Sequence, residues 1–273
     1  MATITIQKNE FEQFVPVATT PANQPSVFNS VSKGFGNAFD TLCNTILGLN
    51  YDSLPDAVKT VCKRYVSISA FINAFRQLDV VLTATGFGIV NNQNVAPASK
   101  ERVDALLTDL WRELDKCEEQ LLILLTRTEG WSGTRQAKIC ISNLYWRRSD
   151  MEAWLGIANP TRDERLKLRQ QVDAVEVKLA EKISWEQREK LLVAMRSNSL
   201  TELEQQLVDK AMQFISASIK QQLQQAAYLL RKIVDFLNDN VDEFLDYKNS
   251  QAYEINNNRG YQNAKQDTAY FFK

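Results

Sequence analysis

The amino-acid sequence predicts a mainly α protein, a multi-helix bundle with one small β-hairpin and extended arms at both ends. Three observations lead there. Apolar residues recur at alternating steps of four and three along most of the chain, the period of a helix with one buried face. Helix-start signatures of the capping-box and proline type stand in front of those stretches. One segment, at about 82–96, breaks the period and is rich in β-branched, aromatic and turn-forming residues instead. The expected organisation is an extended N-terminal arm over 1–25, a helical domain over 26–255 with the hairpin inserted, and a C-terminal tail over 256–273.

The arm combines a β-prone start, Ile4-Thr5-Ile6, with Pro16, Pro21 and Pro25, and proline there interrupts continuous helix. Val27, Val31, Phe35, Phe39, Leu42 and Ile46 then predict a helix running up to Gly48, weakened by Gly34 and Gly36. Ser53-Leu-Pro-Asp56 reads as a helix start, and Leu54, Val58, Val61, Tyr65, Ile68, Ile72 and Phe75 make one apolar face behind it. Leu82 to Val90, the turn-forming Asn91-Asn92-Gln93-Asn94 and Val95 predict the hairpin. Pro97-Ala-Ser-Lys-Glu opens a second long helix, from Ala98 to Leu125, carried by Val103, Leu107, Leu110, Leu114, Cys117, Leu121 and Leu124.

After Glu129-Gly-Trp-Ser-Gly133 the sequence predicts one further helical stretch from Thr134 to Leu155, ended by Asn159-Pro160. Thr161-x-x-Glu164, Ser184-x-x-Gln187 and Thr201-x-x-Glu204 match the capping box. The helix from Thr201 is expected to be the longest, with Leu203, Leu207, Phe214, Ala226, Leu230, Ile233 and Leu237 in one pattern that includes the glutamine-rich Gln221 to Gln225. A shorter segment follows Asn238-Asp-Asn240 and reaches Ile255, and a polar tail ends in Tyr270-Phe-Phe272.

Composition narrows the function classes. Lys+Arg number 32 against 33 Asp+Glu, so the field that drives phosphate binding is missing and a dedicated nucleic-acid binder is disfavoured. The chain has no histidine, which removes Ser-His and Cys-His nucleophile pairs, a histidine general base and His-containing metal sites. Its four cysteines, Cys43, Cys62, Cys117 and Cys140, form no Cys-x-x-Cys unit and read as buried free thiols. There is no Gly-rich phosphate loop, dinucleotide fingerprint or Asp-rich calcium loop, so no cofactor or metal and no enzymatic activity is expected. The longest apolar runs, such as Leu121 to Leu125, fall short of the roughly 20 residues that span a bilayer. Met1-Ala-Thr-Ile-Thr-Ile lacks a secretory pattern, so synthesis and retention in a cytoplasm are expected.

Few residues invite a functional reading. Arg147-Arg148 and Arg162 to Arg169, interleaved with Trp146 and Trp154, resemble a nucleic-acid contact, but Asp150, Glu152, Asp163 and Glu164 among them favour a solvated helix face. Acid pairs such as Glu118-Glu119 and Asp242-Glu243 have nothing beside them to make acid–base partners. The hairpin is different, because a two-stranded ribbon is barely stable alone and has to pack on its own bundle or on another chain. Gly86, Phe87 and Gly88 place one ring between two permissive residues and are candidates for interaction. So are Tyr270, Phe271 and Phe272, three rings at a terminus that gain from docking, on the chain itself or on a neighbour.

Two stretches also carry a resemblance. Thr85-Gly-Phe-Gly-Ile-Val-Asn-Asn with Val95-Ala-Pro-Ala-Ser-Lys-Glu-Arg102, and the ending Phe236-Leu, Asp242-Glu-Phe244, Tyr247-Lys-x-Ser250 and Tyr270-Phe-Phe272, resemble a family of phage and prophage proteins of Bacteroidales-type bacteria that look like head–tail adaptors, or connectors. The resemblance extends to the opening from Ile4 to Pro16 and to Ile183-Ser184. It implies a structural virion protein of the neck region, made in the host cytoplasm. It further implies a homo-oligomeric ring, dodecameric to match the portal, contacting portal above and neck or tail proteins below, with DNA only passing through the lumen and no membrane. Two alternatives stay open at this point: another phage structural protein, such as a tail-completion or capsid-associated component, and an enzyme or helical interaction protein of a different kind.

Overall fold

The four-three spacing of apolar residues is realised as helices in both of the compact units into which the chain divides. One unit is Met1–Ser142 with Arg196–Asn198, the other Asn143–Met195 with Ser199–Lys273. The computed structural model describes residues 3–19, 26–75, 99–158 and 160–258, and the backbone at 80–83 and 86–89. The mainly α class holds.

The first unit opens with a helix where an extended arm was expected. Helix α1, Lys8–Phe14, is started by the Glu10 carboxylate, which accepts the Gln7 N–H at 2.8 Å, and Pro16 opens a 3-10 turn at Pro16–Ala18 instead of ending all helical structure. Phe11 is the anchor. It is fully buried, with ring centroids of Phe28, Phe35 and Phe71 at 5.7, 6.0 and 6.4 Å, so the arm's apolar residue supplies part of the core.

The single helix expected up to Gly48 forms as α2, Val27–Val31, a 3-10 turn at Ser32–Gly34, α3, Phe35–Leu42, and a π turn at Cys43–Leu47. It stops at Gly48, whose φ of 63° is left-handed and where a Cβ would lie 2.6 Å from Gln136 Oε1. Helix α4, Asp56–Phe75, follows the predicted face.

Strands β1, Val80–Thr83, and β2, Gly86–Ile89, pair antiparallel with Thr83 opposite Gly86. This corrects the hairpin expected over 82–96 with its turn at Asn91–Asn94. The run Val80-Val81-Leu82 supplies the first strand, and two residues suffice to connect such strands. Residues 90–98 lie outside the described ones. Helix α5, Lys100–Thr126, starts where Ser99 Oγ accepts the Arg102 N–H and runs antiparallel to α4, as the Arg64–Glu113 pair at 3.0 Å and the Cys117 thiol on the Val61 carbonyl show. Trp131, fully buried, donates its indole N–H to the Ile46 carbonyl at 3.0 Å, ahead of α6, Arg135–Cys140.

The helix expected from Thr134 to Leu155 is broken after Cys140 and resumes as α7, Arg148–Leu155, with the boundary between units in the gap. Charged side chains take the backbone groups that a continuous helix would pair: Arg196 Nε donates to the Ile141 carbonyl in the first unit, and Glu176 accepts the Leu144 N–H in the second.

In the second unit the Thr161–Glu164 capping box starts α8, Arg162–Ile183. Ser184 turns the chain with φ 76°, and its Oγ accepts the Gln187 N–H at 3.0 Å to start α9, Trp185–Arg196. The reciprocal half of that expected box is missing, since the Gln187 amide is buried without a hydrogen-bond partner among the described residues. The Thr201–Glu204 box starts α10, Glu202–Ile219. The expected longest helix ends there: Gln221 adopts φ 58° and the Gln222 N–H closes on the Ala217 carbonyl at 2.9 Å. That turn folds α11, Leu223–Asp239, back on α10. Two short helices, α12, Leu245–Lys248, and α13, Gln251–Asn257, complete the described chain.

Candidate functional site

In the first unit the N-terminal end of α5 has no residue in the core. None of the first ten residues of α5, Lys100 to Asp109, is buried, and the first that is buried is Leu110. At the same end of α4, Asn73 is exposed and Phe75 half-buried. The unburied end of α5 is therefore about 15 Å long at 1.5 Å per residue, whereas α4 stays buried to Phe71 and Ile72, within a turn of its end. Val103, Leu106 and Leu107 stay partly exposed along that end of α5. The β1–β2 ladder lies in the connection between these two helices. Of the candidate interaction residues, Gly86, Phe87 and Gly88 all fall in β2, with Cα partners Thr83, Leu82 and Val81. Tyr270, Phe271 and Phe272 lie outside the described residues.

The second unit has a recess of about 730 Å³ between the end of α8, the start of α9 and α13. Trp185 and Ile255 both line it and remain 53% and 59% exposed, with Ala180 and Ala252 behind them. Its ionisable lining is Glu181, Glu186 and Asp246 against Lys182. Hydrogen bonds fix the walls: Asn256 Nδ2 donates to the Lys182 carbonyl at 2.8 Å and lies 3.1 Å from the hydroxyl of Tyr247, itself fully buried. Lys190 reaches Asp246 at 3.9 Å. The sequence reading passed over Trp185 and Ile255. Trp185 follows the Ser184 cap directly and stands two turns before the buried Leu192, so its exposure was not legible from the helical pattern.

Several ionisable side chains are paired within the fold. Glu176, 1% exposed, accepts from Arg188 and from the Leu144 N–H, and burial pushes its carboxyl above the ordinary range. The expected solvated face around Arg147-Arg148 is only half realised: Arg147 lies 5.0 Å from the Trp146 ring centroid, whereas Arg148 is buried and pairs with Glu152 at 3.1 Å. Asp242, from one of the acid pairs, is held on Lys248 at 2.7 Å, which lowers its carboxyl below the usual range. Cys62 and Cys117 are buried free thiols pushed up to about 12 by burial, while Cys43 and Cys140 are only partly covered. Among the described residues no group of three or more Cys, Asp or Glu side chains is placed to hold a metal ion, and no helix is long and apolar enough to cross a membrane.

No curated protein and no solved structure matches the chain. A family model does match, over residues 20–141 and 194–257, leaving α7, α8 and most of α9 between the matched segments. By that match over well over half its length, the chain belongs to DUF6712, a family of unknown function.

Proposed function

We propose that the chain is a non-enzymatic structural protein of a tailed-phage virion, a head–tail adaptor that assembles with copies of itself into a ring between portal and neck or tail proteins. The observation that carries this reading is the N-terminal end of α5, Lys100 to Asp109, in which no residue is buried. The residues with the most specific resemblance to the adaptor family, from Thr85 to Arg102, fall in the sequence between α4 and α5 and run into that end. A helix end of nearly three turns with no buried residue, and with Val103, Leu106 and Leu107 partly exposed, presents surface for another subunit to cover. The near-balanced charge of 32 basic and 33 acidic residues suits a lumen through which DNA passes without being gripped.

The test is native mass measurement of the purified chain, alone and mixed with a purified phage portal protein, followed by particle imaging. A closed homo-oligomer bound to portal is the expected result. A chain that stays monomeric with portal at high concentration, or that binds elsewhere on the particle, rejects the adaptor reading.

A further inference from the structure

We propose that the recess between α8, α9 and α13 receives the C-terminal segment of the same chain, residues 259–273. Its two large apolar lining residues, Trp185 and Ile255, are both more than half exposed although they share one concavity of about 730 Å³. The concavity is not a slack surface. Asn256 ties α13 to the last carbonyls of α8, Ser184 Oγ lies 3.5 Å from the Asp246 carbonyl, and Ala180, Ser184 and Ala252 at its floor are buried.

Charge and sequence identify the occupant. Glu181, Glu186 and Asp246 outnumber Lys182 around the opening, so an aromatic segment with excess positive charge fits best. The residues that follow α13 have that character. Arg259, Lys265 and Lys273 stand against Asp267, and Tyr261, Tyr270, Phe271 and Phe272 supply the rings. The segment also starts in the right place, because Ile255 on the recess wall is only four residues before Arg259.

Reach is ample, since fifteen residues span up to about 50 Å when extended. A short tether also holds its end at an effective concentration in the millimolar range. A second copy's tail free in solution at micromolar concentration competes poorly with that, so in the unassembled chain its own segment is selected. The contact lies within one subunit and stands independently of ring formation.

The experiment uses the full-length chain with Phe271 replaced by a photo-reactive phenylalanine analogue, irradiated as an equal mixture of isotopically heavy and light protein. Cross-links are expected on peptides containing Trp185 or Ile255, joining light to light and heavy to heavy only. In the Trp185→Asp, Ile255→Gln variant their yield should fall by about tenfold or more, corresponding to loss of at least about 1.4 kcal/mol of docking. Both substituted side chains are exposed, so helix content should not change, and circular dichroism checks this. Cross-links spread over other surfaces, mixed heavy–light products, or an undiminished yield in the variant would each overturn the assignment.

Discussion

Glu176 and Arg188 form a buried ion pair: the carboxylate is 1% exposed and accepts from Arg188 Nε at 2.8 Å and Nη2 at 2.6 Å. The same carboxylate holds the Leu144 N–H, so one charged group ties α8 to α9 and stops the 141–147 segment from continuing as helix. Removing one partner of such a pair strands the other, at a cost of roughly 3–5 kcal/mol. Arg188→Met should therefore lower the urea midpoint of the second unit sharply. Adding Glu176→Gln should restore part of the loss, and a double variant no more stable than Arg188→Met would show that the stranded charge is not the cause.

The pair also sets a pH dependence. Desolvation by burial raises the Glu176 carboxyl above its ordinary value, with the Arg188 charge opposing it. A carboxyl raised in the fold keeps its proton where the unfolded chain has released it. Its stabilising contribution is thus present below the unfolded value, about 4.3, and is lost as pH rises through the folded value. The wild type should lose stability relative to Glu176→Gln between about pH 4.3 and neutrality. Denaturation midpoints of the two proteins across that interval measure it, and a constant difference would contradict the direction given.

Phe11 turns the N-terminal segment into part of the first unit's core. Because its ring sits among Phe28, Phe35 and Phe71 and is fully buried, Phe11→Ala should destabilise that unit by roughly 3–5 kcal/mol. Limited proteolysis reads the local consequence. Cleavage should appear between Lys8 and Ala18 in the variant at protease concentrations that spare the wild type. Equal resistance would mean that α1 is held by its Glu10–Lys63 ion pair at 2.7 Å more than by its ring.

The helical class, the α4 and α5 faces and two complete capping boxes were legible because they depend on local periodicity and on hydrogen bonds spanning three residues. The breaks were not. Nothing local distinguishes Gln221, which turns the chain with a left-handed φ, from the neighbouring glutamines in a helical pattern. The interruption at 141–147 is imposed by Glu176 and Arg196, more than thirty residues away. The N-terminal segment looked extended because its prolines were legible and the aromatic cluster awaiting Phe11 was not. The recess at Trp185 and Ile255 was not legible, because it exists only once α13 folds back beside α8 and α9.

Thiol reactivity gives a further check on the first unit. Burial pushes the thiols of Cys62 and Cys117 up to about 12, so neither carries much thiolate near neutrality. Under native conditions at pH 8, alkylation should modify Cys43 and Cys140 first and leave Cys62 and Cys117 until the protein unfolds. Early labelling of Cys117 would mean that α5 separates readily from α4, where this thiol meets the Val61 carbonyl.

The adaptor proposal makes its sharpest demand at Phe87. In β2 this residue stands opposite Leu82 in a two-stranded ladder placed in the connection between α4 and the unburied end of α5. A ladder that small gains little stability alone and draws it from what covers it. If the cover is another subunit, burying the ring is worth about 1.5–3 kcal/mol at each interface, repeated around a closed ring. Phe87→Ala should then leave helix content and the urea midpoint nearly unchanged while weakening self-association or attachment to portal by about tenfold or more, since 1.4 kcal/mol is a factor of ten. Sedimentation and native mass measurement separate the two effects. A variant that loses stability as a monomer would place the ring in the protomer's own core, and one that assembles as well as the wild type would remove the hairpin from the interface.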